Sequence, residues 1–481
     1  MPKSFFDIVC LGTELPGLIA SALLAKQGYR VLLAGAVEKP EKPGPGTLQR
    51  GRAPLLFVGD HSSPIIRWAV SHLSLTQEMR NRLRPLVPSY QVVLPGHRLE
   101  MGGRSPDTDA EVKRELPELY DQLDPLCSKA ETGHEALQGL FDPPLVIPPT
   151  RWTERRALRL RLRSLGLDER LQTVDPFTKL EPANPLRLLF DAPLRFLTGG
   201  DPNELCPFCR TRLLGHLGRG ISLVAGDRPG LAELVLERFT TYGGVVRKGA
   251  GALESIQLGW SGSALLNFDH GREEFGCRLI LCNQPPQQLT ELLPESRKKR
   301  QLAALADKAE VVGYRVAFRL LVRAELLPEA MSPVLFLVTD PAAPLHDDNL
   351  LLLTVAGEGE SRILSVAAQV DAARLQQGGS TTLAELQVRM EERVRRLLPF
   401  LDLHLLERGT LQAESFQPLY ALDRQAPGCL GRLTYCTPYR QVLLGGMQML
   451  PALGLEGEFL TGVSLSQVVN SLVKRHDLLP R

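Results

Sequence analysis

An α/β fold is predicted for this chain, with a parallel central sheet in one domain and a mostly antiparallel sheet in a second. Three observations carry it. Residues 7–35, DIVCLGTELPGLIASALLAKQGYRVLLAG, read as strand, glycine turn, helix and strand. Residues 312–370 alternate apolar and polar positions in successive short runs, the pattern of half-buried antiparallel strands. Over 481 residues, 43% hydrophobic and 23% charged usage is that of an ordinary globular chain, large enough for two or three domains.

The opening unit is local and well punctuated. Ile8 to Leu11 is a short buried strand bounded by Gly12. Leu15 to Lys26 carries apolar Leu15, Leu18, Ile19, Ala22, Leu23 and Ala25 at helical packing spacings, and Gln27-Gly28 supplies the glycine stop. Val31-Leu32-Leu33 is a second buried strand. A strand, a crossover helix and a strand force the two strands parallel.

The turn resembles the dinucleotide-binding fingerprint G-x-G-x-x-G, with Gly12 first and Gly17 last. The first glycine makes the tight turn, the second lets backbone approach a pyrophosphate, and the third lets helix and strand pack closely. Glu14 stands at the middle position, adding bulk and negative charge where a dianion sits. The helix N-terminus is expected to take this carboxylate as a capping anion. An acid at the end of the second strand holds ribose hydroxyls in such folds. This chain has Ala34-Gly35 there, with Glu38 the nearest acid.

Further landmarks extend the resemblance. Residues 442–462, VLLGGMQMLPALGLEGEFLTG, followed by a helical run, look like the C-terminal FAD segment of the phytoene desaturase and amine oxidase group of flavoproteins. Gly446 matches the strand-end glycine; Pro451, Gly454 and Gly457 match the loop; Met447 stands where many members carry an acid. Residues 226–256 follow the group's order of turn, helix, Gly243-Gly244 and strand, and Leu253 to Ile256 fits the segment whose backbone meets adenine. Asn283 and Pro285 lie in register with a desaturase strand and loop, and Gly51-Arg52 resembles a remnant of the pyrophosphate-clamping turn. The resemblance implies a Rossmann-like FAD/NAD(P)-binding domain built from about 1–90, 215–300 and 425–481. A second α+β substrate domain with a helical cap then comprises 91–214 and 301–424. The cofactor it implies is FAD, held by Gly12, Glu14, Gly17, Gly51, Arg52, Leu253, Gly446, Met447, Gly454 and Gly457.

Within the second domain, 90–101 reads as a hairpin and 107–140 as helical. Residues 151–172 read as a very basic helix, arginine-rich over 151–163. It is either a solvated face or a peripheral contact for anionic lipid or an acidic partner. Strands are expected at 312–320, 334–338, 350–355 and 363–370, and an amphipathic helix at 382–398.

Other chemistries are bounded by composition. A net charge of +2 gives no reason to expect nucleic acid. The residues from Met1 to Asp7 lack a secretory pattern, and the apolar run from Ile8 to Ala25 is broken by Glu14, Pro16 and two glycines, so no transmembrane segment and a cytoplasmic location are expected. The eight cysteines are scattered, and Cys206-Pro207-Phe208-Cys209 is the one C-x-x-C, read as two small hydrophobes near a turn. The nine histidines show no zinc-hydrolase spacing, so no metal site is expected. The resemblance implies a cofactor-side place for His61, and for Tyr420, Tyr435 and Tyr439 a place lining a pocket near the flavin end. No catalytic side chain is singled out, because a flavin carries the hydride itself.

Two functions remain open. One is an FAD-dependent oxidoreductase similar to phytoene desaturases, removing hydride from an apolar small molecule. The other is a non-catalytic relative, similar to Rab GDP-dissociation inhibitors, that has lost or weakened FAD binding and takes a protein or lipid partner.

Overall fold

In the central sheet, strand Ser4–Leu11 lies between Val31–Ala34 and Glu273–Cys282, all parallel. Its last six residues are buried, the continuous apolar run of a strand covered on both faces. Val245–Val246 extends the sheet beyond Val31–Ala34. On its edge away from Ser4–Leu11, the long strand Glu273–Cys282 serves two further neighbours. Its second half pairs in parallel with Val442–Leu444, and its first half pairs antiparallel with Ala264–Phe268, which is joined by Leu253–Leu258. The computed structural model describes residues 4–35, 48, 51–59, 62–102, 106–142, 145–167, 176–247, 253–259, 264–268, 273–422 and 433–473. Glu38 and His61 lie outside them.

Helix Leu15–Lys26 is buried from Leu15 to Ala25, with the C-terminal helix Gly454–Leu472 and helix Asp227–Thr241 packed against it. Its periodic apolar face was legible. Its burial all round comes from these two later helices.

Among the described residues the second sheet has eight strands. Val311–Arg323 lies one place in from an edge, with Ser361–Asp371 on one side and Leu405–Arg408 and Gln417–Tyr420 on the other. Leu350–Ala356, Val334–Val338 and the hairpin Tyr90–Leu94/His97–Met101 complete it. Every pairing is antiparallel except Val334–Val338 with Tyr90–Leu94. Strand alternation sorts the two faces: Val316, Phe318, Leu320 and Val322 meet Leu386, Met390 and Val394 of helix Ala372–Leu397, whereas Ala317 and Phe336 face the main core. A small third sheet joins Leu56–Val58, Ile221–Val224 and Leu83–Pro85.

Two expected helices differ in extent. The basic helix, expected over 151–172, runs Trp152–Ser164 and ends where Gly166 turns at φ +67°; residues 168–172 lie outside the described residues. The helix expected at 382–398 begins at Ala372, continuing straight through Gly378-Gly379-Ser380. Packing of its far end on the sheet outweighs the weak helix preference of that stretch.

Candidate functional site

The carboxyl ends of the parallel strands open onto the start of helix Leu15–Lys26, the position where α/β folds bind ligands. Gly12 adopts φ +95°, and a Cβ there would stand 2.5 Å from the Asn283 carbonyl oxygen, so the turn tolerates only glycine. Asn283 is the fastening of this end. Its Oδ1 accepts the Gly17 N–H at 2.9 Å and its Nδ2 donates to the Glu14 carbonyl at 2.7 Å. A Cβ on Gly17 would sit 2.2 Å from that amide. Replacing Asn283 by alanine leaves the Gly17 N–H without its acceptor, while the Glu14 carbonyl keeps the Leu18 N–H, and is expected to cost about 1–3 kcal/mol. A lowered urea midpoint at unchanged slope checks this.

Glu14 corrects one expectation. It occupies the N-cap position, but its side chain makes no capping hydrogen bond. Pro16 has no N–H to offer, and Asn283 has taken the Gly17 N–H. The carboxylate reaches across to Met447, whose N–H donates to its Oε2 at 3.2 Å. Burial pushes the Glu14 carboxyl up to about 7, opposed by this N–H and by Arg228. Gly446, at φ +91°, brings the Met447 N–H into line, and a Cβ there would stand 3.1 Å from Glu14 Oε2.

Beyond Glu14 lies a chain of charges. Arg228 donates to both Glu458 oxygens, at 2.6 and 2.7 Å. Burial alone would lower the Arg228 guanidinium, but Glu458 holds it above its usual range. Arg315 donates to the Gln417 amide oxygen at 3.3 Å and to the Phe196 carbonyl. Burial, reinforced by Arg228, pulls Arg315 down to about 10.

Three cavities run along this line. One of about 320 Å³ is lined by Glu14, Arg52, Asp227, Arg228 and Met447. The next, only about 60 Å³, lies among Arg228, Arg315, Tyr420, Gly454 and Glu458. A third of about 640 Å³ opens past Tyr420 between helix Pro185–Thr198 and the second sheet. The residues that the sequence associated with a dinucleotide divide accordingly. Glu14, Arg52, Met447 and Gly454 line these cavities, with Gly12, Gly17 and Gly446 behind them. Gly51 is a contact point for the second sheet, since a Cβ there would lie 2.4 Å from the Ala317 carbonyl. Gly457 packs against the Leu450 carbonyl, and Leu253 opens the edge strand Leu253–Leu258. Tyr420 lines two of the cavities. Tyr435 and Tyr439 do not: the first donates to the Ile147 carbonyl at 2.5 Å and the second pairs with Ser296 at 2.8 Å.

The fit to FAD can be tested on these residues. A pyrophosphate needs free donors at the helix N-terminus. Here one is absent at Pro16, one is bonded to Asn283, and a carboxylate faces the space. No acid stands at Ala34-Gly35 for a ribose. The space beside Gly454, where the resemblance puts the flavin, is about 60 Å³ and bordered by an ion pair. As the side chains stand, these residues do not fit the dinucleotide.

A second polar centre escaped the sequence reading. Glu456 is 1% exposed and accepts from Arg212 Nη2 at 2.6 Å, Arg212 Nε at 2.8 Å, Ser63 Oγ at 2.5 Å and His216 Nε2 at 3.1 Å. His216 Nδ1 meets Ser62 Oγ at 2.5 Å. Burial would raise the Glu456 carboxyl, but Arg212 and His216 hold it well below the usual range. Burial keeps His216 low, despite Glu456, and pushes neighbouring His134 down to about 2. Both imidazoles are therefore neutral, and the network assigns the His216 proton to Nε2. Serine, histidine and carboxylate in series have the connectivity of a nucleophile triad. Ser62 and His216 are both buried and line none of the three cavities above, and the centre fastens the C-terminal helix to helix Pro207–Leu217. Only the i, i+4 spacing of Arg212 and His216 was visible in the sequence.

The remaining candidates resolve simply. Cys206 is the N-cap of helix Pro207–Leu217, its Sγ accepting the Cys209 N–H at 3.5 Å. Among the described residues no group of His, Cys, Asp and Glu is arranged to hold a metal ion, and no helix is long and apolar enough to cross a membrane. On the basic helix Leu162 is buried, and Trp152 and Leu160 are exposed beside Arg155 and Arg156.

No family model and no curated protein matches the sequence. Solved structures do match. Cyclohexylamine oxidase from Brevibacterium oxydans aligns over 98% of this chain and 100% of its own at 12% identity, with a TM-score of 0.55. An oxidoreductase from Methanosarcina mazei aligns over 96% and 100% at 13% identity and 0.56. A cofactor-binding redesign of putrescine oxidase aligns over 97% and 99% at 11% identity and 0.57. The chain has the fold of the flavoprotein oxidases, from end to end.

Proposed function

We propose that the chain is a binding protein on the flavoprotein oxidase fold, with its own charged side chains in the dinucleotide seat and its ligand in the 640 Å³ cavity. The observation that carries this is the Glu14 carboxylate on the Met447 N–H. It puts the chain's own acidic group into the space where a helix start and a glycine turn otherwise meet a phosphate. The Arg228–Glu458 pair and Arg315 extend the filling to the flavin end. The division into a dinucleotide-type domain (1–90, 215–300, 425–481) and a cap domain (91–214, 301–424) belongs to the same reading, with the lining of the large cavity drawn from the cap domain.

A second reading, an FAD-dependent oxidoreductase acting on an apolar substrate, is favoured by one feature. Arg52 and Arg228 line the 320 Å³ cavity beside the helix start, where cations would suit a pyrophosphate. One experiment separates the two. Protein purified from flavin-replete cells is examined for visible flavin absorption and then titrated with FAD. The first reading expects a colourless protein and no saturable uptake. A yellow protein with one FAD per chain overturns it in favour of the oxidoreductase.

A further inference from the structure

We infer that the large cavity is a site for an organic monocarboxylate with an apolar body, held by Arg195. The inference rests on reading that cavity as the ligand site and not on the state of the dinucleotide seat.

Arg195 projects from helix Pro185–Thr198 into the cavity of about 640 Å³. Its neighbours on the same side of the fold have acceptors for their guanidinium groups. Arg187 donates to Asp191 at 3.0 Å and to the Leu180 carbonyl at 2.6 Å. Arg210 donates to Asp191 and to the Pro202 carbonyl. Arg195 differs: among the described residues its guanidinium has no hydrogen-bond partner, and its Nε is buried without one. Only its carbonyl is used, accepting from Gln369 and from Gly199. A guanidinium carries five donors in a fixed fork, and a buried Nε without an acceptor is retained at a cost.

The rest of the wall describes that acceptor. Tyr420 lines the same cavity, and its hydroxyl is likewise buried and unpartnered. Burial disfavours its ionised form, so it remains a donor. Two kinds of unused donor call for an acceptor with more than one oxygen. Leu188, Leu345, Val370, Leu419 and Leu422 supply apolar surface for a hydrocarbon body. Asp201, Glu204 and Asp371 stand at the exposed rim. They help keep Arg195 charged against burial, which lowers it. Their repulsion disfavours a dianion such as a phosphate monoester and leaves room for a single negative charge. A carboxylate fits Arg195's fork with two parallel charge-assisted bonds, which also fixes its orientation. The volume lies within the range of small-molecule sites.

The test is calorimetric titration of the full chain with octanoate, octanol and octylamine, on the sample whose flavin content has been read by absorption. Octanoate is expected to bind at least about tenfold more tightly than either control, from one charge-assisted pair. Arg195→Gln should abolish that preference while leaving octanol binding unchanged, and Tyr420→Phe should reduce it in part. Equal affinity for octanoate and octanol, tighter binding of octylamine, or no binding of any probe overturns the assignment on the wild-type protein alone, whatever the variants' folding. A preference that survives Arg195→Gln overturns it as well. The flavin result is independent, so a failed carboxylate site and a failed reading of the dinucleotide seat give different outcomes.

Discussion

Replacing Glu456 by alanine is expected to remove about 3–5 kcal/mol of folding stability, the loss associated with stranding one member of a buried ion pair. The carboxylate accepts four hydrogen bonds, two from Arg212, which is wholly buried. Alanine leaves that guanidinium, Ser63 and His216 without their acceptor. Urea unfolding followed by circular dichroism measures the loss. The double variant Arg212→Met with Glu456→Met should lose less than the single alanine, since apolar groups of similar volume leave no charge stranded. A Glu456→Ala cost below about 1 kcal/mol would show that the network is not a fastening. The pH dependence has a definite sign. The folded Glu456 carboxyl lies below its ordinary 4.5, so its contribution is fully present above 4.5 and drains away as pH falls through the lower folded value.

Glu14 gives the second large effect, with the opposite sign. Its carboxyl is raised from 4.5 to about 7, so the folded state binds more protons than the unfolded state in between. Stability from this group is fully present below 4.5 and is lost as pH rises towards 7. Glu14→Gln keeps an oxygen for the Met447 N–H but has no charge to bury. It should therefore be more stable than wild type at pH 8 by about 1–3 kcal/mol, with the advantage gone at pH 4.5. Parallel urea titrations at the two values measure it. An advantage that is equal at both, or reversed, would show that the buried charge is not what Glu14 contributes. Glu14→Gly tests the seat itself. Opening space and removing charge should improve FAD uptake relative to wild type at pH 8, and unchanged uptake would locate the obstruction at Arg228 and Glu458.

The parts legible in the sequence are those whose causes are local. The glycine at 12, the helix Leu15–Lys26 and the alternation of Val311–Arg323 follow from turn geometry and side-chain period, and each stands where it was expected. The chemistry of Glu14 was also legible, as a charge placed against phosphate. Its partner was not, because choosing Met447 over the helix required knowing that Asn283 would claim the Gly17 N–H from 266 residues away. The same holds for Arg228 with Glu458, 230 residues apart, and for Arg212 with Glu456, 244 apart. Such pairs are made by topology, and a single sequence carries no local trace of them. Arg195 is the extreme case, since what distinguishes it is a missing partner.

Helix Gly454–Leu472 also sets a timetable for the nascent chain. Val9 is synthesised first and waits for Ile280 to complete its side of the sheet, and Arg212 waits for Glu456, 244 residues later. At about 5–20 residues per second, that second delay is roughly 12–50 s. Throughout it, Arg212 and His216 lack their acceptor and the apolar surface of helix Leu15–Lys26 lacks its cover. Translation products that stop short of position 456 retain those defects permanently. They should accumulate as substrates for chaperones and proteases, and not as shortened working protein.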